Sequence, residues 1–162
     1  MCHRTVARDA RRTARAWTAS LGGCLILIAP DAGSAQTAAC PGIHVTILNI
    51  RNSIGTVDCA LFGSPNGFPA DVLRSAMRLA AMKVPNRTAH CDFDDVPAGT
   101  YALVVLHDEN MNAHADYNWI GLPKEGYGFS NDARGTLGAP SFSQASFVYD
   151  GKGIELTITL RY

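Results

Sequence analysis

Along most of the chain apolar and polar residues alternate with the period of two that marks a half-buried strand. Ile43, Val45 and Ile47 share one face of the first such run; Val57, Cys59 and Leu61 share one face of the next, with Asn52, Ser53 and Gly55 between them. The two runs read as a hairpin, 43–50 paired with 55–62, with Cys59 among its inward residues. Ser64-Pro65-Asn66-Gly67 then ends the strand. Over residues 70–82 two periods compete. Val72, Leu73, Ala76, Met77 and Ala80 recur at helical spacing behind Asp71 as a cap, while Leu79, Ala81 and Lys83 alternate with Ala80, Met82 and Val84. A short helix and a strand over 78–84 both fit. Ala89, Cys91 and Phe93 then face one way, and His90, Asp92 and Asp94 the other. After Pro97-Ala98-Gly99, residues 101–106 are apolar on both faces, as in a central strand covered on both sides. Phe147 and Tyr149 start another strand, Asp150-Gly151-Lys152-Gly153 turns, and Ile154, Leu156, Ile158 and Leu160 alternate with Glu155, Thr157, Thr159 and Arg161. Six or seven short strands without βαβ alternation predict an all-β, antiparallel sandwich of Greek-key type.

Residues 107–143 break this rhythm, and so long a stretch without periodicity is usually functional or disordered. Trp119, Ile120, Leu122, Tyr127, Phe129, Leu137 and Phe142 supply enough apolar surface to anchor it, and five glycines permit tight paths, so an ordered loop is predicted.

The first 35 residues are of another kind. Arg4, Arg8, Arg11, Arg12 and Arg15 precede an apolar run from Leu21 to Ala29, followed by Gly33, Ser34 and Ala35, which is the layout of a secretory signal peptide. The apolar run is too short to span a bilayer, so 1–35 is expected to be cleaved and 36–162 to form one exported domain, periplasmic or secreted. Cleavage leaves nine basic and twelve acidic residues, a net charge of −3. The basic residues are scattered singly, without the clustering that nucleic acid or an anionic membrane surface calls for. Three cysteines remain, Cys40, Cys59 and Cys91, and export favours a disulfide. Three pairings are open by count. Cys59 and Cys91 both lie on inward strand faces, which selects that pair and leaves Cys40 free.

Candidate chemistry concentrates in the run from His107 to Asn118. Asp108, Asn110, Asn112 and Asp116 stand at positions 1, 3, 5 and 9 of a calcium-type loop, with the His114 carbonyl near position 7. A hard dication takes six to eight oxygens from such alternate positions. Ala113 stands where the turn glycine belongs and Trp119 where an EF-hand needs a bidentate Glu, so an EF-hand proper is excluded. A shorter loop would need completing by another oxygen, from Glu109, Asn118, Glu125 or Asp132. The competing view is a polar loop in which Asp and Asn bond their own backbone. His107 and His114 could join His90 or His44 as imidazole ligands, but no Cys/His spacing resembles a zinc site. Gly128-Phe129-Ser130-Asn131-Asp132 has a partial likeness to a nucleophile elbow, but the glycine two residues after Ser130 is missing, so Ser130 is assigned a structural role.

Several segments together resemble a known family: Gly55-Thr56-Val57 through Ala60-Leu61-Phe62, Gly67-Phe68-Pro69, Val96 to Ala102, His107-Asp108-Glu109-Asn110, and Gly121 to Asn131. Over about Ile43 to Tyr162 the chain is similar to the exported bacterial proteins grouped as domain of unknown function 2141. The resemblance implies a transthyretin-like or carboxypeptidase-regulatory-like β-sandwich and no established activity. The family usually carries glycine where this chain has Met111 and Ala113. Glu125, Tyr127, Ser130 and Asn131, in its last marker, are taken as loop supports.

Two functions compete. One is a non-catalytic binding or accessory module in which calcium locks the 107–118 loop, with an unidentified protein or small ligand recognised at 107–143. The other is a small hydrolase on a transthyretin-like sandwich, similar to hydroxyisourate hydrolases. Those enzymes share a closing Tyr-Arg-Gly-Ser, where this sequence reads Leu160-Arg161-Tyr162.

Overall fold

The structure, a computed structural model, describes residues 41–120, 123–136 and 138–162. The predicted signal peptide and Cys40 lie outside the described residues. Eight strands are described: β1 (Ile43–Leu48), β2 (Thr56–Phe62), β3 (Arg78–Lys83), β4 (Ala89–Phe93), β5 (Gly99–Asp108), β6 (Gly126–Phe129), β7 (Phe147–Tyr149) and β8 (Ile154–Thr159). They form two sheets, one in the order β4-β1-β8 and one in the order β3-β2-β5-β6, with β7 also pairing with β5. The fold is an all-β sandwich.

The expected hairpin of 43–50 with 55–62 does not form. β1 pairs with β4 and β8, whereas β2 pairs with β3 and β5, so the chain crosses between sheets at residues 49–55. The inward faces explain the crossing: Ile43, Val45 and Ile47 meet Val57, Cys59 and Leu61 across one core, which requires the two strands to lie in opposite layers. Asn49 turns the chain in a left-handed conformation (φ 62) that Asn tolerates. The β1–β8 pair is parallel, in contrast to the antiparallel pairing of the other strands.

Residues 70–83 divide between the two periods that competed there, as a one-turn helix α1 (Val72–Ser75) followed by β3. The Asp71 side chain does not cap α1. The 107–143 segment is less irregular than expected, holding β6, a 3₁₀ turn at Ser130–Asp132 and a helix α2 (Phe142–Ala145) closed by a Ser141/Gln144 capping box.

Between the layers lies the main core. Ile43, Val45, Ile47, Leu61, Leu103, Val105 and Ile158 are among its most fully buried members. Cys59 of β2 and Cys91 of β4 form the expected disulfide across this core, with 6.6 Å between their Cα atoms. The Tyr101 hydroxyl donates to the Pro97 carbonyl four residues upstream (2.8 Å), fixing the turn into β5. A second, smaller core covers the outer face of β5, where Ala102, Phe129 and Ala145 are buried. Phe68 stacks edge-on against Phe62 and Phe142 there, with centroids 5.2 and 5.7 Å apart. This second core pins 130–145 to the sheet. The segment 107–125 is held differently.

Candidate functional site

β5 delivers the site through its alternation. Tyr101, Leu103, Val105 and His107 point into the core, and Asp108 comes next on the opposite face. Asp108 is buried, and both its oxygens are engaged: Oδ1 accepts the Asn112 N–H (3.1 Å) and Oδ2 the Ala113 N–H (2.7 Å). The backbone therefore curls around this carboxylate. Met111 (φ 59) and Ala113 (φ 60) take the left-handed conformation that the curl needs. Asn110 Oδ1 accepts from Asn112 N (3.1 Å) and Asn112 Oδ1 from His114 N (2.8 Å), each side chain bonding the backbone two residues on. The Asn110 and Asn112 amides donate to the two oxygens of Asp116, at 2.7 and 3.2 Å. Four of the predicted calcium ligands, Asp108, Asn110, Asn112 and Asp116, thus meet in one connected knot. The fifth, His114, contributes its N–H to that knot. Among the described residues no three His, Cys, Asp or Glu side chains converge as a metal-binding group.

The residues expected to complete the loop already have hydrogen-bond partners, Asn118 Oδ1 accepting Ile120 N–H (3.1 Å). Glu125 is buried and holds the segment's two ends, accepting Glu109 N–H at Oε1 (3.0 Å) and Asp116 N–H at Oε2 (3.1 Å). Glu109 faces Arg51, which reaches both its oxygens from Nε and Nη2 at 2.6 Å, and Asn52 donates to it at 2.8 Å. This bidentate pair holds the Glu109 carboxyl below the usual carboxylate range, chiefly through the Arg51 hydrogen bonds. Asp132 lies apart and accepts Thr159 N–H (2.8 Å). Of the expected loop supports, Tyr127 exchanges backbone hydrogen bonds with Arg161 (2.8 and 2.9 Å), and Asn131 donates to the Ser146 carbonyl (2.8 Å). Ser130 is buried; its hydroxyl accepts Leu103 N–H and donates to the Ala145 carbonyl.

Three participants were not singled out in the sequence. Arg51 and Asn52 sit in the crossing between sheets, and Tyr162 lies beyond β8; none carries a local signal, because each meets the loop through long-range packing. His107 is fully buried, with Nε2 2.9 Å from the Ile54 carbonyl and Nδ1 2.8 Å from the Tyr162 hydroxyl. Its inward position was legible, since it continues the Tyr101, Leu103, Val105 alternation. Asp58 on β2 carries the one buried side-chain oxygen, Oδ1, that lacks a hydrogen-bond partner among the described residues, and burial raises its carboxyl above the usual range.

Exposed residues of the knot and its surroundings include large apolar side chains beside the polar Asn110, Asn112 and His114. Ile54, Met111, Tyr117 and Ile120 are exposed, and Trp119 is 95% exposed. An isolated bridge between Tyr117 and Pro123 closes the base of this projection. No helix among the described residues is long and apolar enough to cross a membrane.

No curated protein and no solved structure matches the chain. The sequence profile of a family described as "Uncharacterized protein conserved in bacteria (DUF2141)" matches residues 45–157, from β1 into β8 and across the whole knot. The chain therefore belongs to the DUF2141 family of uncharacterised bacterial proteins.

Proposed function

We propose that this is an exported, non-catalytic binding or accessory module whose recognition surface is the 107–125 segment, locked by calcium. The observation that carries the reading is the curl of residues 108–113 about the Asp108 carboxylate, with Ala113 in the left-handed conformation that a turn glycine supplies in calcium loops. Ion binding would require half-turns of the Asn110 and Asn112 amides, giving up their bonds from Asn112 N–H and His114 N–H and their donation to Asp116, so that their oxygens face the ion. Asp108, Asn110, Asn112, Asp116 and the His114 carbonyl would then hold the ion. Calcium would supply fixed positive charge that orders this acidic segment; magnesium asks for near-octahedral geometry and zinc for nitrogen and sulfur. The exposed Trp119, Ile120, Tyr117 and Met111, all from one short segment, suit contact with a protein or small ligand, because apolar side chains grouped in water mark interaction sites where single ones do not. The engaged states of Ser130 and His107 suit a structural role for both. Export and cleavage rest on the layout of residues 1–35: absence of the protein outside the cytoplasm overturns export, and an intact Met1 on protein recovered there, read by N-terminal sequencing, overturns cleavage.

Thermal melts of the mature protein in excess chelator and in millimolar calcium test the ion. An ion that binds only the folded state adds about 2.7 kcal/mol at a hundred times its dissociation constant, several degrees in Tm for a domain of this size. Asp108→Asn is expected to abolish the increment. Equal melting temperatures with and without calcium overturn the reading.

A further inference from the structure

The slot occupied by Tyr162 is the most completely specified polar arrangement outside the knot. Its floor is Gly126, where an added Cβ would stand 2.5 Å from Cζ and 2.6 Å from Cε1 of the tyrosine ring. Its roof is the Arg51 guanidinium, 4.4 Å above the ring centroid. At its inner end two groups address the hydroxyl. The Arg51 backbone N–H donates to it (2.9 Å), and His107 Nδ1 lies 2.8 Å away. The Ile54 carbonyl can only accept, so His107 Nε2 carries the hydrogen that reaches it. The phenol proton has Nδ1 as its acceptor. With His107 neutral, the relay runs from Arg51 N–H to the Tyr162 oxygen, from the Tyr162 proton to Nδ1, and from Nε2–H to Ile54, and Glu109 Oε1 stands 3.7 Å from the same Nδ1.

We infer that Tyr162 is a phenol latch: a slot built to recognise a hydroxylated aromatic ring seats this side chain and thereby ties residues 160–162 to the base of the 107–125 segment. The connection is physical at each point. His107 immediately precedes Asp108, about which the knot curls. Arg51 clamps Glu109 and also donates to the Lys124 carbonyl (3.1 Å), so the residue that roofs the slot grips both ends of the segment. Withdrawing Tyr162 takes the hydroxyl from the buried His107 Nδ1, returns the exposed Arg51 N–H to water and removes the ring beneath the guanidinium. A benzene ring fills the volume but answers neither polar group, so the slot selects a phenol over a plain ring.

The test uses the full chain in chelator, which separates the latch from any role of calcium. Amide hydrogen exchange of 107–125 and the ¹⁵N shift of His107 Nδ1 are measured for the wild type, Tyr162→Phe and Tyr162→Gly. Tyr162→Phe is expected to speed exchange in 107–125 by about tenfold while leaving β1 and β4 unchanged, since one lost hydrogen bond that strands a buried partner costs on that order. Tyr162→Gly is expected to speed it further, and millimolar p-cresol, but not toluene, to restore both the exchange and the Nδ1 shift. Unchanged exchange in Tyr162→Phe overturns the latch, and if the Gly variant does not fold, the Phe variant alone decides. Failure of p-cresol, or equal rescue by toluene, overturns the phenol-selective slot.

Discussion

Carboxylates at the base of the 107–125 segment differ sharply in how they are partnered. Glu125 accepts one N–H on each oxygen, so Glu125→Gln turns an amide NH₂ toward an N–H and strands one of them. A loss of about 1–3 kcal/mol is expected, read as a lowered denaturant midpoint. Glu109 depends on Arg51, and its lowered carboxyl fixes the sign of a pH effect. A folded-state value below the unfolded one adds stability above the unfolded carboxylate range, and that stability is lost as pH falls through the lowered folded value. Melting curves from pH 6 down to pH 3 are expected to fall less steeply for Glu109→Gln than for the wild type; parallel curves contradict the pairing. Asp58 has the opposite sign. Burial raises its carboxyl, so its charged form costs stability above the folded value, and the cost disappears as pH falls below the unfolded one. Asp58→Asn is expected to raise Tm at pH 7 and to raise it less at pH 4.

Elements here are placed by what crosses between them more than by their own propensity. The crossing from β1 to β2 closes on Gly55, at φ 73, where a Cβ would overlap the Asp108 carbonyl oxygen. Both the backbone conformation and the close approach require glycine. Gly55→Ala is expected to cost at least about 2 kcal/mol, and, because the displaced group is Asp108, to loosen exchange in 107–118 before the core strands. β6 shows the limit of periodicity. Its sequence, Gly126-Tyr127-Gly128-Phe129, offers glycines where one face should be apolar, because Tyr162 and Ile158 fill those positions from elsewhere. β3 and α1 share the 70–83 region because the backbone turns extended at Ala76 and pairing with β2 takes residues 78–83, although the helical spacing continues to Ala80.

At the scale of the molecule the two sheets are joined by packing and by one covalent bond. The Cys59–Cys91 disulfide links β2 to β4, one strand from each layer, across a sequence separation of 32. Such a loop contributes roughly 3–4 kcal/mol in the chain-entropy account. The Cys59→Ala, Cys91→Ala double variant is expected to lose about that much in chemical denaturation. Non-reducing peptide mapping is expected to show Cys40 outside the pair; a Cys40 linkage to either partner overturns the assignment.

How much of this was legible in the sequence divides along a physical line. Apart from β6, and β3 where a helix fitted as well, strand positions, inward faces and the disulfide pair followed from alternation within a few residues, because the pleat repeats every two residues and burial imprints that repeat locally. The crowding of Asp and Asn into 108–116 was legible in the same way, and the side chains do meet. Which strands pair was not legible. β1 and β2 look like a hairpin locally but lie in different sheets, and β1 pairs in parallel with β8, more than a hundred residues on, because covering both inward faces outweighs the shorter connection. The partners of the loop were hidden for the same reason. Arg51 reaches Glu109 and Tyr162 reaches His107 across 58 and 55 residues, and such contacts leave no period in the chain. Local chemistry was written in the sequence; its neighbours were decided only when the two layers closed.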